Sequence, residues 1–211
     1  MTQQLLAAAK AGDASLARCL LEKGADPNER DGRGRTPLIF SAMFDRLDIV
    51  SLLVGPYKAD LNMADEDGAS PLITGCQRGH TEVMKLLLAG GAKADQADVH
   101  GATPLSVSSR GGNREAAELL LANGAKVGRA DNKGATPLFV GSEGGHEGVV
   151  SLLLAHGARA DQAADNGFTP LIISGLNGHK EVVKLLLTGW CTRRRARRSR
   201  RRDEGGVRVR R

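Results

Sequence analysis

Aromatic residues are scarce: four Phe, one Tyr and one Trp make up 3% of the 211 residues. Large rings cannot fill a core in a chain of this length, so its apolar surface must be buried by many small contacts among Leu, Ala, Val and Ile. Cysteine is scarce as well. Cys19, Cys76 and Cys191 are odd in number, share no short spacing and have no histidine at ligand spacing, which argues against a disulfide framework or a zinc site. Long hydrophobic runs are missing: no stretch approaches the ~18 to 20 apolar residues of a membrane-spanning helix. The apolar patch Leu5 to Ala9 has no basic leader and is followed by Lys10 and Asp13, so no signal peptide is expected. These absences lead to the expectation of a soluble protein, cytoplasmic or nuclear, with no membrane partner.

A strong excess of one charge sign is missing from most of the chain. Residues 188–211 hold 11 Arg against Asp203 and Glu204, a net of +9, so the whole-chain charge of +6 leaves −3 on residues 1–187. The body is mildly acidic and the end strongly basic. An arginine-dense stretch cannot bury enough apolar area to fold alone, so residues 190–211 are expected to be a disordered tail.

Glycine, by contrast, is abundant, with 27 residues spread along the chain instead of clustered in a linker. Its regularity belongs to a repeat. Thr-Pro-Leu occurs at Thr36, Thr103, Thr136 and Thr169, and Ser-Pro-Leu at Ser70, with successive starts 34, 33, 33 and 33 residues apart. Thr or Ser accepts a bond from an orphan N–H at a helix start, and Pro fits the first helical position, where no donor is missed. Gly79, Gly112, Gly145 and Gly178 follow the last four tripeptides after the span of a short helix, where a left-handed residue turns the chain. Apolar residues then recur at helical spacing, as in Val83, Leu86 and Leu87, so a second helix follows. It stops at Gly91, Gly124 or Gly157, and polar turn-formers such as Asp131-Asn132-Lys133-Gly134 make a projecting loop.

The fold class expected is therefore an all-α repeat solenoid, a stack of helix-turn-helix units joined by β-hairpin-like loops. The layout resembles the ankyrin repeat, with its ~33-residue period and Thr-Pro-Leu-His-x-Ala signature. The family histidine is replaced by Ile39, Ile73, Ser106, Phe139 and Ile172, so its loop-to-helix bond is absent and apolar packing substitutes in four units. The paired alanines become Ser41-Ala42, Gly75-Cys76, Ser108-Ser109, Gly141-Ser142 and Ser174-Gly175, which keeps the smallness that close helix approach requires. The array expected spans 1–189, as a more polar N-terminal cap unit at 2–30 and units at 31–64, 65–97, 98–130, 131–163 and 164–189, the last incomplete. The 31–64 unit carries one extra residue, within Gly55 to Asp60.

No constellation of catalytic residues stands out. Asp65-Glu66-Asp67-Gly68 lacks the later ligands of a calcium loop, the Gly-x-Ser-x-Gly spacing fails around Ser142 and Ser174, and no phosphate-cradling glycine motif occurs. His80, His146 and His179 follow inter-helix glycines and His156 precedes a terminating one, a recurrence that favours helix-start hydrogen bonds over chemistry. Cys19 and Cys76 fall in apolar helix pattern and read as small core residues. Neither a cofactor nor a metal is expected, and the chain reads as a non-enzyme.

The family resemblance implies that loop tips and the exposed side of the first helices form a concave protein-binding surface. Carried across, those positions are Arg33, Arg35, Met43 and Phe44; Glu66, Asp67, Gln77 and Arg78; Val99, His100 and Arg110; Asn132, Lys133 and Glu143; and Asn166, Phe168, Leu176 and Asn177. Met43 with Phe44, and Phe168 with Leu176, place bulky apolar groups there and are the preferred anchors. The function expected is a monomeric, non-catalytic scaffold that binds another protein. The alternatives are a nucleic-acid-associated or nuclear protein acting only through the arginine-rich tail, or the ankyrin fragment of a larger multidomain protein.

Overall fold

The repeated cap chemistry sets the architecture of the computed structural model, which describes residues 2–189. Its helices are α1 (Thr2–Ala11), α2 (Ala14–Glu22), α3 (Pro37–Met43), α4 (Leu47–Val54), α5 (Pro71–Arg78), α6 (Thr81–Ala89), α7 (Pro104–Arg110), α8 (Arg114–Ala122), α9 (Pro137–Glu143), α10 (Glu147–Ala155) and α11 (Pro170–Leu176). A twelfth, α12, covers 180–189, and there is no strand among the described residues. No helix among them is long and apolar enough to cross a membrane.

Each tripeptide starts a helix as its chemistry requires. The hydroxyls of Thr36, Ser70, Thr103, Thr136 and Thr169 accept from the N–H groups of Ile39, Ile73, Ser106, Phe139 and Ile172 at 3.2–3.3 Å. The helices fall into pairs stacked in two layers. In one, α1, α3, α5, α7, α9 and α11 pack in sequence, and in the other α2, α4, α6, α8 and α10 do so. Ser41, Ala42, Ser108, Ser109 and Ser142 are fully buried, so small side chains do lie where helices approach closely.

The turn between paired helices is left-handed at Gly79, Gly112, Gly145 and Gly178, with φ of 68 to 75°. In the 31–64 segment the pattern breaks. Asp45 (φ 57°) holds the turn between helices, and Lys58 (φ 45°) holds the stop after α4 that Gly24, Gly91, Gly124 and Gly157 hold elsewhere. Both are non-glycine residues in a region that disfavours a Cβ.

The projecting loops close as hairpin-like fingers without strands. Asp31, Asp65, Asp98 and Asp131 each donate their N–H to the carbonyl four residues on, at 3.0–3.2 Å. Each aspartate Oδ1 also accepts two N–H groups within its own finger, as Asp98 does from His100 and Ala102 at 2.9 and 2.8 Å. Fingers are bonded in series: Glu66 N–H to Arg33 O, Val99 to Asp67, Asn132 to His100 and Asp165 to Lys133, at 3.0–3.1 Å.

Several expectations need correcting. In α6 the buried set is Val83, Met84, Leu87 and Leu88, with Leu86 only half-buried, because three consecutive leucines leave the phase of the helix open. Cys76 is buried, and that burial pushes its thiol up to about 12, but Cys19 is half-exposed. Apolar packing replaces the family histidine at Ile39, Ile73 and Phe139, which are buried, while Ile172 is 45% exposed. Residues 190–211, expected to be disordered, lie outside the described residues, as does Cys191.

The recurring histidines also act differently from expectation. His80 and His146 make no side-chain bond to the start of their own helices. They reach back one pair: His146 Nε2 is 2.9 Å from the Arg110 carbonyl, His179 Nε2 2.9 Å from that of Glu143, and His80 Nε2 3.3 Å from that of Met43. A carbonyl only accepts, so Nε2 is the donor in each of these bonds.

Candidate functional site

The face made by the fingers and first helices gathers part of the expected contact set. Gln77 at the end of α5, Arg110 at the end of α7, His100 on one finger and Lys133 on the next line a common cavity of about 430 Å³. Val107 and Asn132 complete much of its wall. All four expected residues are exposed. Three separate stretches of chain meet here because finger and helix of adjacent pairs stand in register.

The cavity's charges are not equivalent. Asp98 and Asp131 also line it, but the Oδ1 of each is taken by two backbone N–H groups of its own finger. No hydrogen bond or ion pair engages the side chains of Arg110 and Lys133 among the described residues. The acidic residues here organise the wall, and the basic ones stand free on it.

Apart from Asn132, the other expected residues do not join this cavity. Arg33 is exposed on the first finger, and Arg78 is exposed at the end of α5. Arg35 is held in place: its guanidinium donates to Asp31 Oδ2 at 2.9 and 2.7 Å and lies 4.7 Å from the centre of the Phe40 ring. Desolvation pushes the Asp31 carboxyl up, but the Arg35 guanidinium and the N–H groups of Arg35 and Arg33 override it and hold the pKa at about 2. Met43 is half-buried, while Phe44 is 44% exposed and stacks on Phe40 with centroids 6.5 Å apart.

Phe168 and Leu176 lie in the last pair, 38% and 67% exposed, together with the exposed Ile172. Sequence reasoning left Ile172 out of the contact set because its counterparts are core residues. A broader depression of about 860 Å³ runs along the opposite loops, lined by Asn62, Lys93, Asp95 and Arg129 among others. Some of its polar atoms are engaged by bonds between pairs: Lys93 N–H donates to Asn62 Oδ1 at 2.8 Å and Lys126 N–H to Asp95 Oδ1 at 3.0 Å. No group of three or more His, Cys, Asp or Glu among the described residues is placed to hold a metal ion.

A family model described as ankyrin repeats in three copies matches residues 5–98, 56–131 and 126–192. The chain belongs to the ankyrin repeat family. It is similar to the crystal structure of an ankyrin repeat domain from Acinetobacter baumannii AYE, with TM-score 0.81 and 28% identity over 88% of this chain and 96% of that one. Among curated proteins it is 41% identical over 75 residues to human ankyrin repeat domain-containing protein 63, covering 36% of this chain and 20% of that protein. It is 35% identical over 75 residues to ankyrin repeat protein nuc-2 of Neurospora crassa, covering 36% of this chain and 7% of that protein. The putative ankyrin repeat protein YahD of Escherichia coli is 35% identical over 72 residues, 34% of this chain and 35% of that protein. The chain thus spans a small part of the curated relatives it matches. Ankyrin repeats generally mediate protein–protein interaction, and the family is generally a non-catalytic scaffold. The nucleic-acid reading rests on residues 190–211, outside the described ones.

Proposed function

We propose that this chain is a protein-binding scaffold that holds an acidic segment of its partner in the cavity between the Asp98–Ala102 and Asp131–Ala135 fingers. One observation carries the reading. Arg110 and Lys133 face a concave wall with their charges unanswered, while the neighbouring aspartates are engaged by backbone. An incoming carboxylate would gain charge-assisted hydrogen bonds there without displacing an existing ion pair. His100 and Gln77 add donors, and Val107 gives the wall an apolar portion. Phe44 and Phe168, on either side along the stack, extend the contact as apolar anchors.

The experiment is selection of a displayed random-peptide library on the full chain, with an Arg110→Glu/Lys133→Glu variant selected in parallel. Peptides rich in Asp and Glu should be enriched on the native chain and lost on the variant, more so at low salt. Equal enrichment on both would overturn the reading. Phe44→Ala and Phe168→Ala should weaken binding of the selected peptides while leaving circular dichroism unchanged.

A further inference from the structure

At the back of the stack, the loops that follow the second helices are tied to one another by side chains. At the first joint Asn28 Oδ1 accepts from the Asp60 N–H at 2.7 Å, and Arg30 Nη2 donates to the Ala64 carbonyl at 2.6 Å. At the second, Asn62 Oδ1 accepts from the Lys93 N–H and Gln96 Nε2 donates to the Asn62 carbonyl, both at 2.8 Å. At the third, Asp95 Oδ1 accepts from the Lys126 N–H at 3.0 Å, and Arg129 Nη1 donates to the Asp95 carbonyl at 2.7 Å. Two straps therefore cross the back of each of these joints.

The fourth joint, between α7 with α8 and α9 with α10, has neither. The position in register with Asn28, Asn62 and Asp95 is Gly128, which has no side chain to accept with. The N–H it would take, that of Arg159, has no partner among the described residues. Gln162, in register with Gln96 and Arg129, makes no side-chain hydrogen bond among them either. Space does not forbid a strap: Gly128 lies outside the left-handed region, and a Cβ added to it meets no atom within 4 Å.

The rest of this joint is held. Asn132 donates its N–H to the His100 carbonyl and its Nδ2 to that of Val99, both at 3.0 Å. His146 Nε2 lies 2.9 Å from the Arg110 carbonyl, and Arg114 Nη1 donates to the Gly148 carbonyl at 2.9 Å. Fingers and inter-helix turns are thus bonded across the joint, and the back is joined by apolar contact. Apolar contact is non-directional and tolerates a small change of angle that a hydrogen bond of fixed geometry resists.

We propose that this fourth joint is the hinge of the array. Every joint yields a little and this one turns furthest, the ends of α8 and α10 parting at the back while fingers and turns stay bonded. His100 and Arg110 stand on one side of the joint and Lys133 on the other, so its rotation sets the width of the cavity they line. The hinge does not depend on what that cavity takes.

Spin labels on helix ends measure the motion in the full chain carrying Cys19→Ser and Cys191→Ser; Cys76 is buried and stays unlabelled. Glu22, Ala89 and Ala155 end α2, α6 and α10 and are exposed. Labels at Glu22→Cys and Ala89→Cys span the first two joints, and labels at Ala89→Cys and Ala155→Cys the third and fourth, each roughly 20 Å apart over two stacking steps. The pulsed-EPR distance distribution of the second combination should be the broader. Gly128→Asn, by supplying the missing acceptor, should narrow it to the width of the first and slow amide exchange at Arg159. Asn62→Gly should broaden the first combination in the same way. Equal widths in the native sequence would overturn the proposal, as would a second distribution that stays broad after Gly128→Asn has slowed exchange at Arg159. If that exchange does not slow, Asn62→Gly decides, and a first distribution left unchanged by it would sink the idea.

Discussion

His146 Nε2 sits 2.9 Å from the carbonyl of Arg110, thirty-six residues upstream, and ties the start of α10 to the end of α7. The ring fills the space that a side chain at Gly112 would need, since a Cβ there would lie 2.5 Å from His146 Nδ1. His146→Ala should remove one bond between pairs at a cost of ~0.5–1.5 kcal/mol. Gly112→Ala should cost more, ~1–3 kcal/mol, because it also forces a Cβ into φ 68°. Urea midpoints of the two variants check the order, and the reverse order would remove the ring from its assigned role.

Leu87 is fully buried in α6 and Leu86 is not. Leu87→Ala should lower stability by ~2–5 kcal/mol, and Leu86→Ala by clearly less. Equal midpoints in chemical denaturation would mean the helix is rotated from its observed phase.

Lys58 occupies a left-handed position that glycine takes elsewhere. Lys58→Gly relieves a cost of ~1–2 kcal/mol and adds ~0.5–1 kcal/mol of unfolded-state entropy, so a net gain of ~0.5–1 kcal/mol is expected. A rise in Tm is the readout. A fall would show that the lysine side chain contributes more than its backbone costs.

Glu29 and Asp31 give stability opposite pH dependences. Burial, the largest cause, raises Glu29 above its ordinary 4.5, although Leu6 N–H donates to its Oε1 at 3.2 Å. Its folded state binds the proton more tightly, so the penalty for its charge is present at neutral pH and relieved as pH falls through the raised value. Glu29→Gln should therefore stabilise at pH 7 and lose that advantage in acid. Asp31, held at about 2 against an ordinary 3.8, contributes stability that is present above 3.8 and lost as pH falls toward 2. Asp31→Asn should lower stability at pH 7 and flatten the acid limb. Denaturant titrations across that range decide both, and parallel curves for native and variant chains would contradict them.

The parts of the fold legible in the sequence are those with local causes. Thr36-Pro37 caps its own helix three residues on, and Gly79 turns the chain by its own φ, so pattern and structure coincide. Asp45 and Lys58 were not legible, because they adopt left-handed backbone only under the constraint of the surrounding stack. The histidines recur visibly, but their partners lie one pair upstream, which no local pattern reveals. Arg35 looked like a contact residue until Asp31, four residues away, was seen to hold it. The grouping of Gln77, His100, Arg110 and Lys133 into one cavity depends on three segments meeting, and Ile172 reads as core until one asks what lies beyond it.

Fingers bonded each to the next, through Arg33 and Glu66, Asp67 and Val99, His100 and Asn132, and Lys133 and Asp165, form a jointed rim. Load on one fingertip passes to its two neighbours before it reaches any other, like tension along a row of coupled springs. A ligand wedged between two middle fingers therefore bends a short arc of the rim first. Wider changes in curvature must accumulate as small rotations at successive joints.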